Sequence, residues 1–350
     1  MNAALRRIVG AAAVLVTALV ESPLVPAAAG AAEEVWLVST REIPSCSPPA
    51  EARPRYWRLA AEGEWAAADR GAFLASDDPA VPTVFFLHGN RSDADDAVQT
   101  GWDVYQCLVE QAGGRPLRLV VWSWPADRIP GRLRPDVRIK AARSDAESRY
   151  LAEAIDAIRP GVPVCLVGYS FGTRTICGAL TLLAGGEFAG HVLERRGTTP
   201  RAAMRAVLIA AAADDTALAP CGSGAGALGQ VDRVLVTRNA ADHALRWYRH
   251  MERWRGPAAL GFRGPACAGE PDTKPTKIEL VDLGCEVGRN HTWDGYLAAP
   301  AIRSRLAWYA FLQPMSDGPT PASVAQASEA LPPGRRARDS NQLADAPGIQ

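Results

Sequence analysis

Short apolar runs alternate along the chain with longer segments in which apolar residues recur at helical spacing. The apolar runs are rich in β-branched and aromatic residues, which is typical of strands buried on both faces of a sheet. They predict strands at 35–39, 83–87, 117–124, 162–167, 206–212, 231–237 and 278–283. The mixed segment 56–73, with Trp57 and Trp65, predicts one or two further strands of a meander.

The amphipathic segments between these runs predict helices. The first begins near Asp95 and stops at the glycines 113–114. Its predicted buried face consists of Val98, Trp102, Tyr105 and Val109. Ser144 and Glu147 match a capping box, which predicts that a second helix begins at Ser144. Pro160 and Gly161 are expected to end it. Further helices are predicted at 173–183, 240–251 and 299–312.

Strands that alternate with helices predict an α/β fold, with a mostly parallel, doubly wound sheet and helices on both faces. The sequence shows no internal repeat and no second domain, so we expect one domain over 33–315. From 316 to 350 the chain is rich in Pro, Ala, Ser and charged residues, without periodicity. Such a composition predicts a disordered C-terminal tail.

The N-terminus has the three parts of a secretory signal peptide. Arg6 and Arg7 precede an apolar run at 8–20, and small residues follow at 27–32. The apolar run is too short to span a bilayer comfortably. We therefore expect residues 1–32 to be a signal peptide, the mature protein to be exported to the periplasm or the exterior, and no stable membrane span to remain after cleavage.

Charge and composition restrict the partners. The 350 residues carry a formal net charge of zero and are 48% apolar, which is enough for a sizeable core. Nothing in this balance favours nucleic acid as a partner. The sequence predicts a basic loop at 125–143, which either lies near a pocket that takes anionic substrates or is simply a solvated face.

The seven cysteines show neither a C-x-x-C motif nor a spacing typical of a zinc site, so no metal and no cofactor is predicted. Cys165 lies in an apolar strand and Cys177 in the following helix, and both are expected to be buried thiols. The remaining five can form disulfides in an exported protein, without a deducible pattern. They are Cys46, Cys107, Cys221, Cys267 and Cys285.

The segment 168–172, Gly-Tyr-Ser-Phe-Gly, follows a predicted strand and opens a predicted helix. A serine on such a sharp strand-to-helix turn has its hydroxyl raised to the carboxyl edge of the sheet, and Gly168 and Gly172 keep the turn free of side chains. The plainer alternative is a loop serine between two glycines that has no role. We interpret Ser170 as a nucleophile, which points to cleavage of an ester or a related acyl bond.

A serine nucleophile needs a base, and the base needs a carboxylate. His291 is the one histidine in the loop after the last predicted strand. Asp242 follows the preceding strand, so the chain order is Ser170, Asp242, His291, as in α/β-hydrolases. Asp242 can instead be a helix N-terminal residue, and Asp214 and Asp215 remain alternative acids.

An acyl transfer reaction also needs two donors for the oxyanion. The Phe171 amide, next to Ser170, is one candidate. The other is the Asn90 amide, in the turn that His88 and Gly89 form directly after the strand 83–87. Gly89 allows the backbone to turn there, and His88 supports the assignment of this turn as a His-Gly motif that carries an oxyanion donor.

Four segments together resemble a family of serine esterases with unassigned substrates in the α/β-hydrolase superfamily. They are Phe-Phe-Leu-His-Gly at 85–89, Trp-Ser-Trp-Pro at 122–125, Leu-Val-Gly-Tyr-Ser-Phe-Gly at 166–172 and Arg-Asn-Ala-Ala-Asp-His-Ala-Leu at 238–245. Leu260-Gly261, and His291 followed by Tyr296, also match. The resemblance covers about 35–312 and implies the α/β-hydrolase fold and a Ser-His-Asp triad. It implies nothing about specificity, and Tyr169 stands where the family often has histidine.

The sequence thus predicts an exported serine hydrolase of carboxylesterase type that acts on a small-molecule ester. Two alternatives stay open. One is a catalytically inactive hydrolase fold that serves as a binding or cell-surface interaction module. The other is an acyltransferase, which would use the same residues with an acceptor other than water. The acyl group, the alcohol and the oligomeric state are not predicted.

Overall fold

In the computed structural model, a nine-stranded sheet forms the centre of the described residues, which are 34–43, 53–131, 133–194, 202–219, 224–250, 256–266 and 277–312. The predicted signal peptide at 1–32 and tail at 316–350 lie outside them. The strands are β1 (Glu34–Ser39), β2 (Arg55–Leu59), β3 (Trp65–Ala68), β4 (Thr83–Leu87), β5 (Arg118–Ser123), β6 (Val164–Tyr169), β7 (Glu187–Phe188), β8 (His191–Val192), β9 (Met204–Ile209), β10 (Arg233–Arg238) and β11 (Ile278–Asp282).

The helices in the described ranges are α1 (Arg70–Ala75), α2 (Ala94–Ala112), α3 (Leu133–Ala157), α4 (Phe171–Leu183), α5 (Gly224–Gly229), α6 (His243–Trp247), α7 (Leu260–Arg263), α8 (Trp293–Leu297) and α9 (Pro300–Ala310). A short 3₁₀ turn at Tyr248–His250 extends α6. None of these described helices is both long and apolar enough to cross a bilayer.

The order of the strands in the sheet is β11-β10-β9-β6-β4-β5-β1-β2-β3. All pairs from β11 to β1 are parallel, while β2 and β3 form the antiparallel meander that the sequence predicts. After β4 the chain moves towards β5, whereas after β6 it moves the other way, towards β9. The carboxyl ends of β4 and β6 therefore flank the point where the direction of winding reverses, which is where such sheets form their sites.

The central strands are buried on both faces. Every residue of β4, β5 and β9 is buried, and successive residues of a strand point to opposite faces. Two groups of helices supply the cover, α3 with α4 and α2 with α9. The predicted fold class, a mostly parallel sheet with helices on both faces, is confirmed.

The loop predicted at 125–143 is wrong from Leu133 onward, and the helix start predicted at Ser144 is also wrong, because α3 already begins at Leu133. Asp136 stabilises this early start from a buried position, where it pairs with Lys140 at 3.0 Å and with Arg91 at 3.0 Å. The Ser144 hydroxyl donates to the Ala141 carbonyl inside the helix, at 2.8 Å. Lys140 therefore belongs to the interior, whereas Arg128, Arg134 and Arg138 are exposed and Arg132 lies outside the described residues.

The buried face of α2 also differs from the prediction. Of the four predicted residues only Val98 is fully buried, and Trp102 and Tyr105 stack on each other at the side of the helix, with ring centroids 4.7 Å apart. The helix rests on β5 through Gly101, where a Cβ would overlap the Val121 side chain. The buried face consists of Ala97, Val98, Gly101, Val104, Cys107, Leu108 and Ala112.

The helix predicted at 240–251 is shorter than expected. Asn239 forms a turn in front of it, since its Oδ1 accepts from the Ala241 amide at 2.9 Å, and α6 begins only after Asp242. Cys165 and Cys177 are buried free thiols, as predicted. Cys107 and Cys285 are also free, while Cys46, Cys221 and Cys267 lie outside the described residues.

Glu147 connects α3 to the sheet from a buried position. Its carboxyl group contacts Thr40 Oγ1 at 2.9 and 2.8 Å and accepts from Trp122 Nε1 at 3.0 Å. Desolvation by burial raises the pKa of Glu147 from 4.5 to about 7, against the opposing hydrogen bonds and Arg41. A protonated Glu147 can donate to Thr40 and accept from Trp122, so both contacts persist in the neutral form.

This burial makes stability depend on pH. Because the folded-state pKa is the higher one, the contribution of Glu147 is fully present below pH 4.5 and is lost as pH rises through about 7. We expect Glu147→Gln, which keeps both contacts, to reduce the loss of unfolding free energy between pH 5 and pH 8 by about 2 to 3 kcal/mol. Urea titrations at both pH values measure this. Glu153→Gln, at a half-exposed position on α3, is the control. Equal pH dependence in wild type and Glu147→Gln would contradict the assignment.

Candidate active site

Ser170 lies in the tight turn between β6 and α4. Its φ of 51° and ψ of −119° lie outside the regions that residues with a side chain ordinarily adopt. Two backbone hydrogen bonds hold the turn against β9: the Ser170 amide donates to the Ile209 carbonyl at 3.0 Å, and the Ala212 amide donates to the Ser170 carbonyl at 3.3 Å. The Ser170 hydroxyl therefore lies at the carboxyl edge of the sheet, beside the first amides of α4.

The two glycines around Ser170 are required by close approach of the backbone. A Cβ at Gly168 would lie 2.9 Å from the Thr173 nitrogen, and a Cβ at Gly172 would overlap the carbonyl oxygen of Leu87. The start of α4 thus packs directly on the end of β4. This contact brings the loop after β4 next to Ser170.

His291 reaches Ser170 from the loop after β11. Its Nε2 lies 2.9 Å from Ser170 Oγ. Tyr169 holds it in place twice, because the two rings stack with centroids 5.6 Å apart and the Tyr169 hydroxyl donates to the His291 carbonyl at 3.0 Å. The His291 side chain is 20% exposed, so the ring contacts both Ser170 and solvent.

Asp242 is fully buried, and both of its carboxylate oxygens are hydrogen-bonded. Oδ2 accepts from His291 Nδ1 at 2.7 Å and from the Tyr296 hydroxyl at 2.8 Å. Oδ1 accepts from the Leu245 amide at 3.1 Å, which makes Asp242 the N-cap of α6. The two interpretations of Asp242 in the sequence are compatible, because they use different oxygens.

Asn239 connects the Asp242 turn to the His291 loop. Its Nδ2 donates to the Tyr296 hydroxyl at 3.2 Å and to the Gly288 carbonyl at 2.8 Å. Burial, with Asp242 nearby, raises the pKa of Tyr296, so its hydroxyl remains a donor to the carboxylate. Asn239 and Tyr296 therefore fix the carboxylate that faces His291.

The other candidate acids have different partners. Asp214 accepts from the Tyr248 hydroxyl at 2.8 Å, and Asp215 lies 3.4 Å from the Arg263 guanidinium. Asp282 is exposed at the end of β11. Among these four described carboxylates, Asp242 is the one hydrogen-bonded to His291.

The remaining histidines do not contact Ser170 in the described part of the chain. His243 is exposed on α6, His250 lies against Trp247, and His191 belongs to the β7–β8 hairpin. Within the described ranges, no group of three or more His, Cys, Asp or Glu side chains is placed to hold a metal ion.

The turn at 88–90 lies against Ser170. A Cβ at Gly89 would lie 3.1 Å from Ser170 Cβ and 2.8 Å from a ring carbon of Tyr169, so only glycine fits there. The Phe171 amide has no partner within its own helix because it is the first of α4. Within the described residues the Asn90 amide makes no backbone hydrogen bond. Both amides thus lack a backbone partner in the described residues, and they lie in the two turns that meet at Ser170.

Sequence reasoning assigned no role to three residues that hold this arrangement together, although two of them stand in segments that carry the family resemblance. Arg41 follows β1, Trp124 follows β5, and Asn239 follows β10. Their common signal is a side chain with an N–H donor within two residues of the carboxyl end of a parallel strand, where sites form in this class of sheet. A search of every strand end, rather than of catalytic residue types alone, would have found them.

No protein-family model and no curated protein sequence matches this chain. Thirteen chains among the solved structures match it. One is an acetylxylan esterase, 15% identical at a TM-score of 0.31, with 67% of this chain and 96% of that chain covered. Another is LpqC, a poly(3-hydroxybutyrate) depolymerase from Bordetella parapertussis, 12% identical at a TM-score of 0.39, with 79% and 90% covered.

Proposed function

We propose that this chain, whose described residues have the α/β-hydrolase fold, is a serine hydrolase that cleaves carboxylic esters. One observation carries the proposal: Ser170 Oγ, His291 and Asp242 form an unbroken hydrogen-bonded series, with contacts of 2.9 and 2.7 Å, that ends at a serine in a strained turn. A serine hydroxyl becomes a useful nucleophile only when a base within hydrogen-bond reach takes its proton.

In the proposed reaction, Ser170 Oγ attacks the ester carbonyl carbon while its proton passes to His291 Nε2. Asp242 holds the His291 proton on Nδ1 and stabilises the imidazolium that forms. The amides of Phe171 and Asn90 donate to the oxyanion of the tetrahedral intermediate. His291 then gives its proton to the departing alcohol. In the second half of the reaction, water attacks the acyl carbon while its proton passes to His291 Nε2. His291 returns this proton to Ser170 Oγ as the carboxylic acid departs.

Under the alternative of an inactive binding module, Ser170, Asp242 and His291 need not converge, and a His291 beyond hydrogen-bond reach of Ser170 would favour it. The 2.9 Å contact between His291 Nε2 and Ser170 Oγ does not favour it. Acyl transfer to an alcohol would use the same residues as hydrolysis, and no observation on the described residues favours it over hydrolysis.

A fluorophosphonate probe tests the proposal directly, since it reacts only with an activated serine. We expect the wild-type protein to be labelled with a stoichiometry near one and Ser170→Ala not to be labelled. Thr173→Ser, one turn into α4, is a matched control that leaves the nucleophile in place. A panel of esters and thioesters of graded acyl length, with and without competing alcohols, would then define the acyl group and separate hydrolysis from transfer. Folded wild-type protein without labelling at Ser170 would refute the proposal.

A further inference from the structure

His88 is 1% exposed, and both of its ring nitrogens have a backbone partner. Nδ1 lies 2.9 Å from the Gly89 carbonyl, and Nε2 lies 3.2 Å from the Trp124 nitrogen. The Trp124 ring stacks on the imidazole at 5.5 Å, and its Nε1 donates to the His88 carbonyl at 3.0 Å. The side chain is thus held on both edges and on one face.

These partners determine where the proton of His88 resides. The Trp124 amide can only donate and the Gly89 carbonyl can only accept, so Nε2 is the acceptor and Nδ1 carries the proton. Burial, with the Arg41 guanidinium nearby, lowers the pKa of His88 to about 3. The imidazole of His88 therefore stays neutral at neutral and mildly acidic pH.

The bond from His88 Nδ1 also orients the next peptide unit. In a trans peptide the carbonyl oxygen and the following N–H point in opposite directions. Because the Gly89 carbonyl is held towards His88, the Asn90 N–H, which lies in the same peptide plane, is fixed pointing away from His88. Gly89 lies against Ser170, so this plane borders the nucleophile.

Arg41 holds the far end of the same turn. Its guanidinium donates to the carbonyls of Ser92 and Asp93 at 3.1 and 2.7 Å and to Ser123 Oγ at 2.7 Å. One terminal nitrogen of Arg41 lies 3.5 Å from His88 Nε2. Because a guanidinium nitrogen can only donate, this contact also favours Nε2 as the acceptor. The turn is thereby tied to the ends of β1 and β5.

We infer that His88, in its Nδ1-protonated form, is a positioning residue that aims the Asn90 amide at the oxyanion. The inference rests on the proposed function, since it assigns a part of that reaction. It predicts that loss of the Nδ1 donor acts on the transition state, where charge develops on the carbonyl oxygen, rather than on substrate binding.

Two substitutions separate the two ring nitrogens. His88→Asn keeps a donor near the Nδ1 position, whereas His88→Gln keeps a polar group near Nε2 and loses the donor to Gly89. We expect His88→Gln to lower kcat by roughly 10²-fold with little change in KM, and His88→Asn to retain kcat within about tenfold. Melting temperatures and titration of Ser170 with the fluorophosphonate correct each rate for folded, labelled enzyme.

A spectroscopic measurement on the wild type does not depend on how the variants fold. Nitrogen-15 NMR of histidine-labelled protein should show His88 as the neutral Nδ1–H tautomer, without titration between pH 5 and pH 8. An Nε2–H tautomer, or equal kcat in the two variants, would overturn this inference and leave the proposed function intact. A wild type that neither hydrolyses esters nor labels at Ser170 would overturn both.

Discussion

Replacement of His291 by alanine is expected to lower kcat by roughly 10⁴- to 10⁶-fold, whereas His243→Ala should leave it within about twofold. The imidazole of His291 is the group placed 2.9 Å from Ser170 Oγ, and without it the hydroxyl keeps its proton. His243 is a matched control because it directly follows Asp242 in the chain but is exposed. Hydrolysis of a soluble aryl ester by both variants measures the difference.

The size of the loss is informative because the oxyanion donors remain in His291→Ala. Residual activity above the uncatalysed rate is expected from the Phe171 and Asn90 amides and from substrate binding. Fluorophosphonate labelling should slow in parallel with kcat, since the same activated serine carries out both reactions. A variant that folds, as judged by circular dichroism, and still hydrolyses the ester at the wild-type rate would show that His291 is not the base.

The sequence pattern was sufficient to predict the seven parallel strands of the sheet, and it placed the candidate site residues after these strands, whereas the β7–β8 hairpin was not predicted. The reason is local: apolar runs define the strands, and parallel strands bring their carboxyl ends to one edge. Ser170 could be found because a strained turn demands small neighbours, which Gly168 and Gly172 reveal. Asp242 was harder, since its position after β10 suits both an N-cap and a triad acid, and the structure shows it making both contacts.

The predictions that failed depend on contacts between distant parts of the chain. Ser144 and Glu147 have the spacing of a capping box, but Glu147 contacts Thr40, which is 107 residues away in sequence. The face of α2 is set by the approach of Gly101 to Val121, and hydrophobic spacing along the helix cannot reveal it. Arg41 was missed for a similar reason, because its contacts with Ser92, Asp93 and Ser123 exist only in the folded sheet.

The second large effect concerns the acid. We expect Asp242→Asn to lower kcat by roughly 10⁴-fold with little loss of stability, because asparagine is as good an N-cap as aspartate. The amide oxygen can still accept from the Leu245 amide, which leaves the amide NH₂ facing His291 and Tyr296. That NH₂ can only donate, so His291 Nδ1 must accept from it and the ring proton moves to Nε2, where it prevents His291 from taking the Ser170 proton.

Asp214→Asn is the matched control, since it alters the alternative acid after β9 while an amide oxygen can still accept from the Tyr248 hydroxyl. We expect it to retain kcat within about threefold. A larger loss of kcat in Asp214→Asn than in Asp242→Asn would assign the acid to Asp214.

A double variant tests whether His291 and Asp242 act as one unit. Combining His291→Ala with Asp242→Asn should lower kcat no further than His291→Ala alone, because a carboxylate without its imidazole has nothing left to orient.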